Sequence, residues 1–225
     1  MADERPTIAV LGGTGDLGSG LAYRWVSAGY SVILGSRSEE RAEAAAAAIA
    51  AEIGGSISGK GNKGAANMAD IIVLTVPYAN QRPSLEEVKA EVQGKILVDV
   101  TVPLAPPKVA RVNLPEEGSA GKAAQLFLGE EVRVVSAFQN VAAAHLRDLD
   151  HVIDCDVLVS GDNPAARESV VALVEAASMR GWHAGPIDNA VVAEALTSVL
   201  IHMNRRYKIS GAGIRITGES KAESK

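Results

Sequence analysis

The chain has 225 residues, a formal net charge of −5 and 47% apolar side chains, enough for one large domain or for one domain with a small appendage. Positive and negative side chains are interspersed, which argues against an electrostatic surface for nucleic acid. The single cysteine, Cys155, cannot form an internal disulfide and suits a reducing compartment. The sequence starts without an apolar signal segment and has no run of membrane-spanning length, so we expect a cytoplasmic protein.

Short apolar runs alternate with helical patterns as far as residue 140, which predicts buried parallel strands covered by helices on both faces. The predicted strands are 7–11, 31–34, 71–76, 96–100 and 132–137. The predicted helices are 17–28, 38–53, 83–92 and 117–128. Pro83 suits a first helical turn, and Ser36 and Glu39 have capping-box spacing. Lys60 and Lys63 fall in a stretch rich in glycine and asparagine that is typical of a loop.

The pattern changes after Asn140. One more strand is predicted at 157–160. A helix capped by Asn163 or Asp162 follows to about Met179, and a longer helix capped by Asp188 runs to about Tyr207. The fold class is therefore predicted as α/β, a Rossmann-type doubly wound parallel sheet with a small helical carboxy-terminal unit. We expect the nucleotide-binding domain in residues 1–160 and the carboxy-terminal unit, which completes the substrate pocket, in residues 161–225. The polar tail 219–225 is expected to be disordered.

A glycine fingerprint, Gly-x-Gly-x-x-Gly, connects the first predicted strand to the first predicted helix. Gly13 would permit the tight turn, Gly15 would let backbone amides approach a pyrophosphate, and Gly18 would let helix and strand pack closely. The amino end of the helix adds free amides and a favourable dipole. In this strand-turn-helix context the fingerprint predicts a dinucleotide site, although a plain glycine-rich turn is the alternative interpretation.

The end of the second predicted strand indicates which nicotinamide nucleotide binds. Enzymes that use NAD carry an acidic residue about 20 residues past the loop, to hold the ribose. Here Ser36 and Arg37 occupy that place, and Arg41 follows one helical turn later. A hydroxyl and two guanidinium groups suit a ribose phosphate, so NADP is favoured over NAD. A solvated, charged helix start is the alternative.

Several segments together resemble the NADPH:coenzyme F-420 oxidoreductase family over nearly the whole length. They are the opening Val-Leu-Gly-Gly-Thr-Gly-Asp-Leu-Gly-Ser-Gly-Leu-Ala, the Leu-Gly-Ser-Arg stretch from residue 34, Ile-Ile-Val-Leu-Thr-Val-Pro at 71–77, and Val-Val-Ser-Ala at 134–137. The opening alone is shared with many dehydrogenases, and the combination is more specific. This resemblance implies NADP(H) as cofactor and coenzyme F-420 as second substrate, with direct hydride transfer between stacked rings.

The resemblance also implies roles for particular residues. Those expected to bind the cofactor are Gly13, Thr14, Gly15, Asp16, Leu17, Gly18, Ser36, Arg37, Arg41, Thr75, Val76, Pro77 and Ala137. Those expected to contact the deazaflavin are Gln139, Asn140 and Val141. Gln139 stands where the family is expected to carry a histidine, and Ala142 stands where a proline is expected. No catalytic acid or base and no metal site is predicted.

Two alternative functions stay open on sequence grounds. The same fold could reduce another acceptor, such as a flavin, an imine or a small carbonyl compound, because Gln139 departs from the family pattern. A non-catalytic NADP(H)-sensing protein is the second alternative. The final helix is apolar on more than one side, which predicts a homodimer with this helix near the interface.

Overall fold

The structure, a computed structural model, describes residues 5–218, and its elements alternate between strands and helices. The strands are β1 (Ile8–Leu11), β2 (Val32–Ser36), β3 (Ile57–Gly61), β4 (Ile71–Leu74), β5 (Ile96–Asp99), β6 (Arg133–Ser136), β7 (Asp156–Gly161) and β8 (Arg180–His183). The helices are α1 (Asp16–Ser27), α2 (Glu39–Ile53), α3 (Asn62–Met68), α4 (Tyr78–Val88), α5 (Ala120–Leu128), α6 (Pro164–Ala176) and α7 (Ala190–Tyr207). The tail 219–225, predicted to be disordered, lies outside the described residues.

The eight strands form one sheet in the order β3-β2-β1-β4-β5-β6-β7-β8. Every neighbouring pair is parallel except β6 and β7, which run antiparallel. A separate apolar cluster covers each face of the sheet, as expected when strands are buried on both sides. The predicted Rossmann-type class is confirmed. Within residues 5–218, no helix has both the length and the apolar composition needed to cross a membrane.

The register of the central strands aligns their carboxyl ends in one row. Leu11 pairs with both Gly35 and Leu74, Leu74 pairs with Asp99, and Asp99 pairs with Ser136. Whatever follows each of these residues in the chain therefore emerges at the same edge of the sheet. In an open α/β sheet this edge is where ligands bind, beside the point at which the strand order reverses.

Three regions differ most clearly from the sequence prediction. Lys60 and Lys63, predicted to lie in a loop, belong to β3 and α3, because β3 is an edge strand of small and polar residues without an apolar run. Helix α4 begins at Tyr78 rather than Pro83, which lies inside it. The cap of α2 is Ser38 rather than Ser36, since the Ser38 hydroxyl accepts from the Arg41 amide at 3.4 Å.

The carboxy-terminal residues contribute strands as well as helices. β8 pairs with β7 through a parallel register, and α6, capped by the Asn163 side chain as predicted, packs against both. A buried arginine of α1, Arg24, donates to the carbonyl oxygens of Leu146 and Asp148 at 2.8 and 2.7 Å, which ties the 145–151 loop to the core. The division of the chain at residue 160 stays a prediction.

The contact between β3 and α2 depends on a glycine without a side chain. A Cβ at Gly59 would overlap the backbone of Ala42 and Glu43 in α2, whereas a Cβ at Gly64 would meet only Lys60 at 3.7 Å. We expect Gly59→Ala to lower the free energy of unfolding by about 2 kcal/mol or more, as overpacking against backbone does. Gly64→Ala, in helix α3, is the matched control and should be neutral or stabilising by up to about 1 kcal/mol. Urea unfolding of both variants tests this, and equal effects would contradict it.

Candidate functional site

A cavity of about 620 Å³ opens at the carboxyl edge of the sheet, between β1, β2 and β4. It brings together eight of the residues predicted from sequence: Thr14, Gly15, Ser36, Arg37, Arg41, Thr75, Val76 and Pro77. They come from three separate segments, which the row of aligned strand ends places side by side. The cavity is long, open at the surface and lined by both polar and apolar groups, as a nucleotide site requires.

The glycine loop between β1 and α1 allows backbone to approach this cavity. Gly12, with φ of 79°, carries the left-handed conformation of the turn that the sequence analysis assigned to Gly13. Gly13 and Gly18 are needed for close packing instead. A Cβ at Gly13 would lie 2.7 Å from the carbonyl oxygen of Val10, and one at Gly18 would lie 2.5 Å from the hydroxyl of Thr75.

The amino end of α1 has no side-chain cap. Gly15 is the N-cap residue and Asp16 begins the helix, so no side chain satisfies the first amides of the helix. Unsatisfied amides at a helix amino terminus, with the positive end of the helix dipole, bind phosphate groups. This end of the cavity therefore suits a pyrophosphate.

Two guanidinium groups stand at the far end of the cavity. Arg37 and Arg41 are exposed, and neither forms a salt bridge within residues 5–218. The nearby Glu39 does not neutralise them, because its carboxylate accepts from Lys60 at 3.1 Å and from the Gly61 amide at 3.2 Å. These contacts also hold the pKa of Glu39 below its ordinary value. Arg37 and Arg41 are thus free to pair with a phosphate.

The cavity also contains residues that the sequence analysis missed. Asn62, at the start of α3, is buried and donates from its amide nitrogen to Glu87 at 2.9 Å. Its amide oxygen has no hydrogen-bond partner in the part of the chain that the structure describes. No sequence signal pointed to Asn62, since the segment around it was read as a loop.

A second cavity of about 440 Å³ shares a wall with the first. Four residues line both cavities: Gly15, Thr75, Val76 and Pro77. Asp16 and Leu17 line only the second one, which is closed by Tyr78 and by the segment from Val100 to Val109. A ligand that extends past Val76 from the first cavity would therefore meet a second ligand here.

Ala137 and residues 139–141, which were predicted to contact the cofactor and the second substrate, are not among the residues that line either cavity. Ala137 is fully buried in the core, and the Gln139 amide nitrogen donates to the carbonyl oxygen of Asp99 and the hydroxyl of Ser136, both at 2.9 Å. The side-chain amide nitrogen of Asn140 donates to the carbonyl oxygen of Ala193 in α7 at 2.8 Å. The space that Gln139, Asn140 and Val141 line is closed, with no room for a water molecule.

The Gln139 side chain keeps one unused acceptor. Its amide oxygen is buried and has no partner among residues 5–218. The preceding residue, Phe138, has φ of 71° and packs edge-to-face on Trp25 with ring centroids 5.9 Å apart. This turn directs Gln139 back toward the carboxyl end of β5. The assignment of residues 139–141 to the second substrate stays a prediction.

Two buried carboxyl groups lie next to the second cavity. Glu194 of α7 accepts from the backbone amides of Ala120 and Gly121 at 2.6 and 3.0 Å. Burial, reinforced by the charge of Asp99, raises the pKa of Glu194 to about 8, against the opposing effect of those two hydrogen bonds. Burial also raises the pKa of Asp99, which accepts from Gln81. Both groups were missed, because isolated acidic residues carry no spacing signal.

The fold, the uncapped α1, the unpaired arginines and the joined cavities define a nicotinamide-nucleotide oxidoreductase of the Rossmann type. Residues 7–103 match the family model described as NADP oxidoreductase, coenzyme F420-dependent. F420-dependent NADP reductases of Methanocaldococcus jannaschii and Methanothermobacter thermautotrophicus are 41% and 39% identical over 93% of this chain and 97% and 94% of theirs. The chain belongs to this family of F420-dependent NADP reductases.

A solved structure supports the same assignment of fold. The crystal structure of a protein from Arthrobacter sp. FB24, described as an F420-dependent NADP-reductase, superposes with a TM-score of 0.79 at 26% identity. The match covers 95% of this chain and all of that one. The family predicted from the sequence motifs is therefore confirmed.

The two arginines give a prediction about nucleotide preference. We expect NADPH to bind at least about tenfold more tightly than NADH, because a charged hydrogen bond contributes about 1.5–3 kcal/mol. Arg37→Ala should remove most of this preference while leaving the affinity for NADH unchanged, which provides an internal control. Titration calorimetry with both nucleotides measures it. Equal dissociation constants in the wild type would refute the role of the arginines.

The pKa of Glu194 gives a prediction about stability. The folded protein retains up to about pH 8 a proton that the unfolded chain releases near pH 4.5, so wild-type stability falls as pH rises through this window. Glu194→Gln cannot ionise, and its stability relative to wild type should increase by more than about 1 kcal/mol between pH 5 and pH 8. Urea unfolding at both pH values tests this, with the exposed Glu43→Gln as control. Parallel pH profiles of wild type and Glu194→Gln would contradict it.

Proposed function

We propose that this protein transfers a hydride reversibly between NADP(H) and coenzyme F-420. The observation that carries the proposal is the pair of cavities joined along Gly15, Thr75, Val76 and Pro77. One cavity has the amides and cations that a phosphorylated dinucleotide needs, and the other adjoins it at the end farthest from the arginines. The relatives of 41% and 39% identity, both F420-dependent NADP reductases, support the choice of substrates.

We propose the following division of labour in the first cavity. The backbone amides from Thr14 to Leu17 bind the pyrophosphate, and Ser36, Arg37 and Arg41 bind the ribose phosphate. Thr75, Val76 and Pro77 then lie along the nicotinamide, which supplies or accepts the hydride. Gly13 and Gly18 act by allowing this close approach rather than by contact.

In the second cavity the protein has to position a ring and exclude water. The lining is largely apolar, with Val76, Val100 and Leu104 among its walls. An apolar site that holds two carbons at reacting distance provides most of what hydride transfer needs from a protein. No acid or base has to be assigned to the hydride step itself.

The test of this function is an assay of NADPH oxidation with F-420 as acceptor. The reaction is monitored through the disappearance of the oxidised deazaflavin. Reduction of F-420 is the expected result. Protein that binds NADPH but leaves F-420 oxidised would favour another acceptor, to be sought among flavins, imines and small carbonyl compounds. Binding of NADPH without turnover of any acceptor would favour a sensing role.

We propose that Gln139 orients the deazaflavin indirectly, because its buried side chain holds the end of β5 through hydrogen bonds to Asp99 and Ser136. We expect Gln139→Ala to lower kcat/KM for F-420 by about tenfold or more, since one orienting hydrogen bond contributes about 1–2 kcal/mol. The dissociation constant for NADPH should barely change, because the dinucleotide is held elsewhere. Gln139→His, which restores a polar side chain, is the matched variant and should recover part of the loss. Full activity of Gln139→Ala would remove this residue from the site.

We also propose that the protein is a cytoplasmic homodimer. Helix α7 exposes Val192, Val199, Met203 and Tyr207, which are 55%, 44%, 36% and 67% accessible. Their spacing of seven, four and four residues places them in one stripe along the helix. A second copy of the chain is the occupant that such a self-complementary apolar stripe favours. The single cysteine supports the reducing location.

The dimer gives a prediction about mass in solution. Light scattering at micromolar concentration should give twice the mass of one chain. Val199→Glu combined with Met203→Glu should convert the dimer to a monomer, because two carboxylates cannot be buried in the stripe without a partner. Val152→Glu, at an equally apolar residue outside α7, should leave the dimer intact. A monomer mass for the wild type would refute this assembly.

A further inference from the structure

A small basic cavity lies beside the second substrate cavity. It has a volume of about 260 Å³ and is lined by Lys108, Ala110, Arg111 and Arg205. Three of its four lining residues are cations, in a protein whose net charge is −5. The positive charge here is therefore a local feature and not a consequence of composition.

None of these three cations is paired with a carboxylate in the part of the chain that the structure describes. Within residues 5–218, the side chains of Lys108, Arg111 and Arg205 form neither a salt bridge nor a hydrogen bond to another residue. Like charges around one cavity repel each other and attract anions. Arg205 alone could be explained as a cation near the carboxyl end of α7, which the helix dipole favours. That explanation does not extend to Lys108 and Arg111, which come from a different segment.

The segment that carries Lys108 and Arg111 also forms a wall of the second substrate cavity. Pro106 and Val109 line that cavity, whereas Lys108, Ala110 and Arg111 line the basic one. Residues therefore alternate between the two cavities along one short stretch. The stretch is fixed to α7, because the Ser198 hydroxyl donates to the carbonyl oxygen of Arg111 at 3.2 Å. A molecule whose ring fills the second cavity could reach the basic one along this wall.

We propose that Lys108, Arg111 and Arg205 bind the anionic tail of the deazaflavin substrate, the phosphate and carboxylate groups that follow its ribityl chain. This inference rests on the proposed function and identifies which part of the acceptor is recognised by charge. Arginine forms paired hydrogen bonds with phosphate and carboxylate, and lysine adds a mobile positive charge. The ring is then held by shape and the tail by charge, in two separate places.

The experiment compares F-420 with the same deazaflavin lacking phosphate and glutamate. In wild type at saturating NADPH, KM for F-420 should be at least about tenfold lower than KM for the tail-less compound. The difference should narrow as KCl is raised, because exposed charges are screened. Lys108→Ala combined with Arg111→Ala should raise KM for F-420 by about tenfold. The same double variant should leave kcat and the KM for the tail-less compound unchanged. Arg206→Ala, at the neighbouring residue outside the cavity, is the matched control and should change neither.

Binding provides a readout that does not require turnover. The fluorescence of F-420 is titrated with wild type and with the double variant, and the loss of affinity should match the rise in KM. Competition by inorganic phosphate tests whether the basic cavity is a general anion site or one that requires the attached ring. If the ring is required, F-420 should bind far more tightly than inorganic phosphate. Wild type that binds F-420 through these residues but never reduces it would overturn the proposed function alone. Equal effects of the double variant on both compounds, or none on either, would overturn this inference.

Discussion

The hydroxyl of Thr75 donates to the carbonyl oxygen of Leu11 at 2.8 Å and fills the space that a side chain at residue 18 would need. The Thr75 amide donates to the same oxygen at 2.9 Å, so the end of β4 is held against the end of β1 by two hydrogen bonds. This contact brings the glycine loop and the 75–77 segment together. Both substrate cavities share that wall. A side chain at residue 18 would push the loop away from the 75–77 segment and change the shape of both cavities.

The charges of the molecule are arranged along this edge with a clear division. Cations that form no salt bridge within residues 5–218 lie at both ends: Arg37 and Arg41 line the first cavity, and the basic cavity lies beyond the second. The acidic groups near the centre, Asp99 and Glu194, are buried with raised pKa values. A centre with little exposed charge suits the transfer of a hydride, since no fixed charge then favours one redox state strongly. Cations at the ends can select two anionic substrates without contacting the reacting carbons.

Sequence patterns predicted the part of the site that is built from backbone. The glycine fingerprint and the arginines after β2 are local signals. Each supplies what the site requires, close backbone approach or positive charge, within a few consecutive residues. β3 went unnoticed because an edge strand needs no apolar run, and Asn62 was lost with it. Glu194 could not have been found, since its role depends on a contact with Ala120 that lies 74 residues away in the chain. The hydrogen bonds of Gln139 to Asp99 and Ser136 could not be predicted either, because they follow from the turn at Phe138, whose φ is 71°.

Helix α7 shows why an apolar pattern alone does not identify the buried face. The face that packs on the domain is mostly small and polar, with Ala190, Ala193, Glu194 and Ser198 beside one large apolar residue, Leu200. Helix α5 lies against this face: a Cβ at Gly121 would be in van der Waals contact with the Cβ of Ala190, at 3.5 Å. Glu194 fits the same face because the amino end of α5 offers two free amides to its carboxyl group. Close approach and hydrogen bonding fix the inner face, and several larger apolar residues of α7, among them Val192, Val199 and Met203, are left exposed. The helix therefore packs on the domain through one face and exposes an apolar stripe on the other.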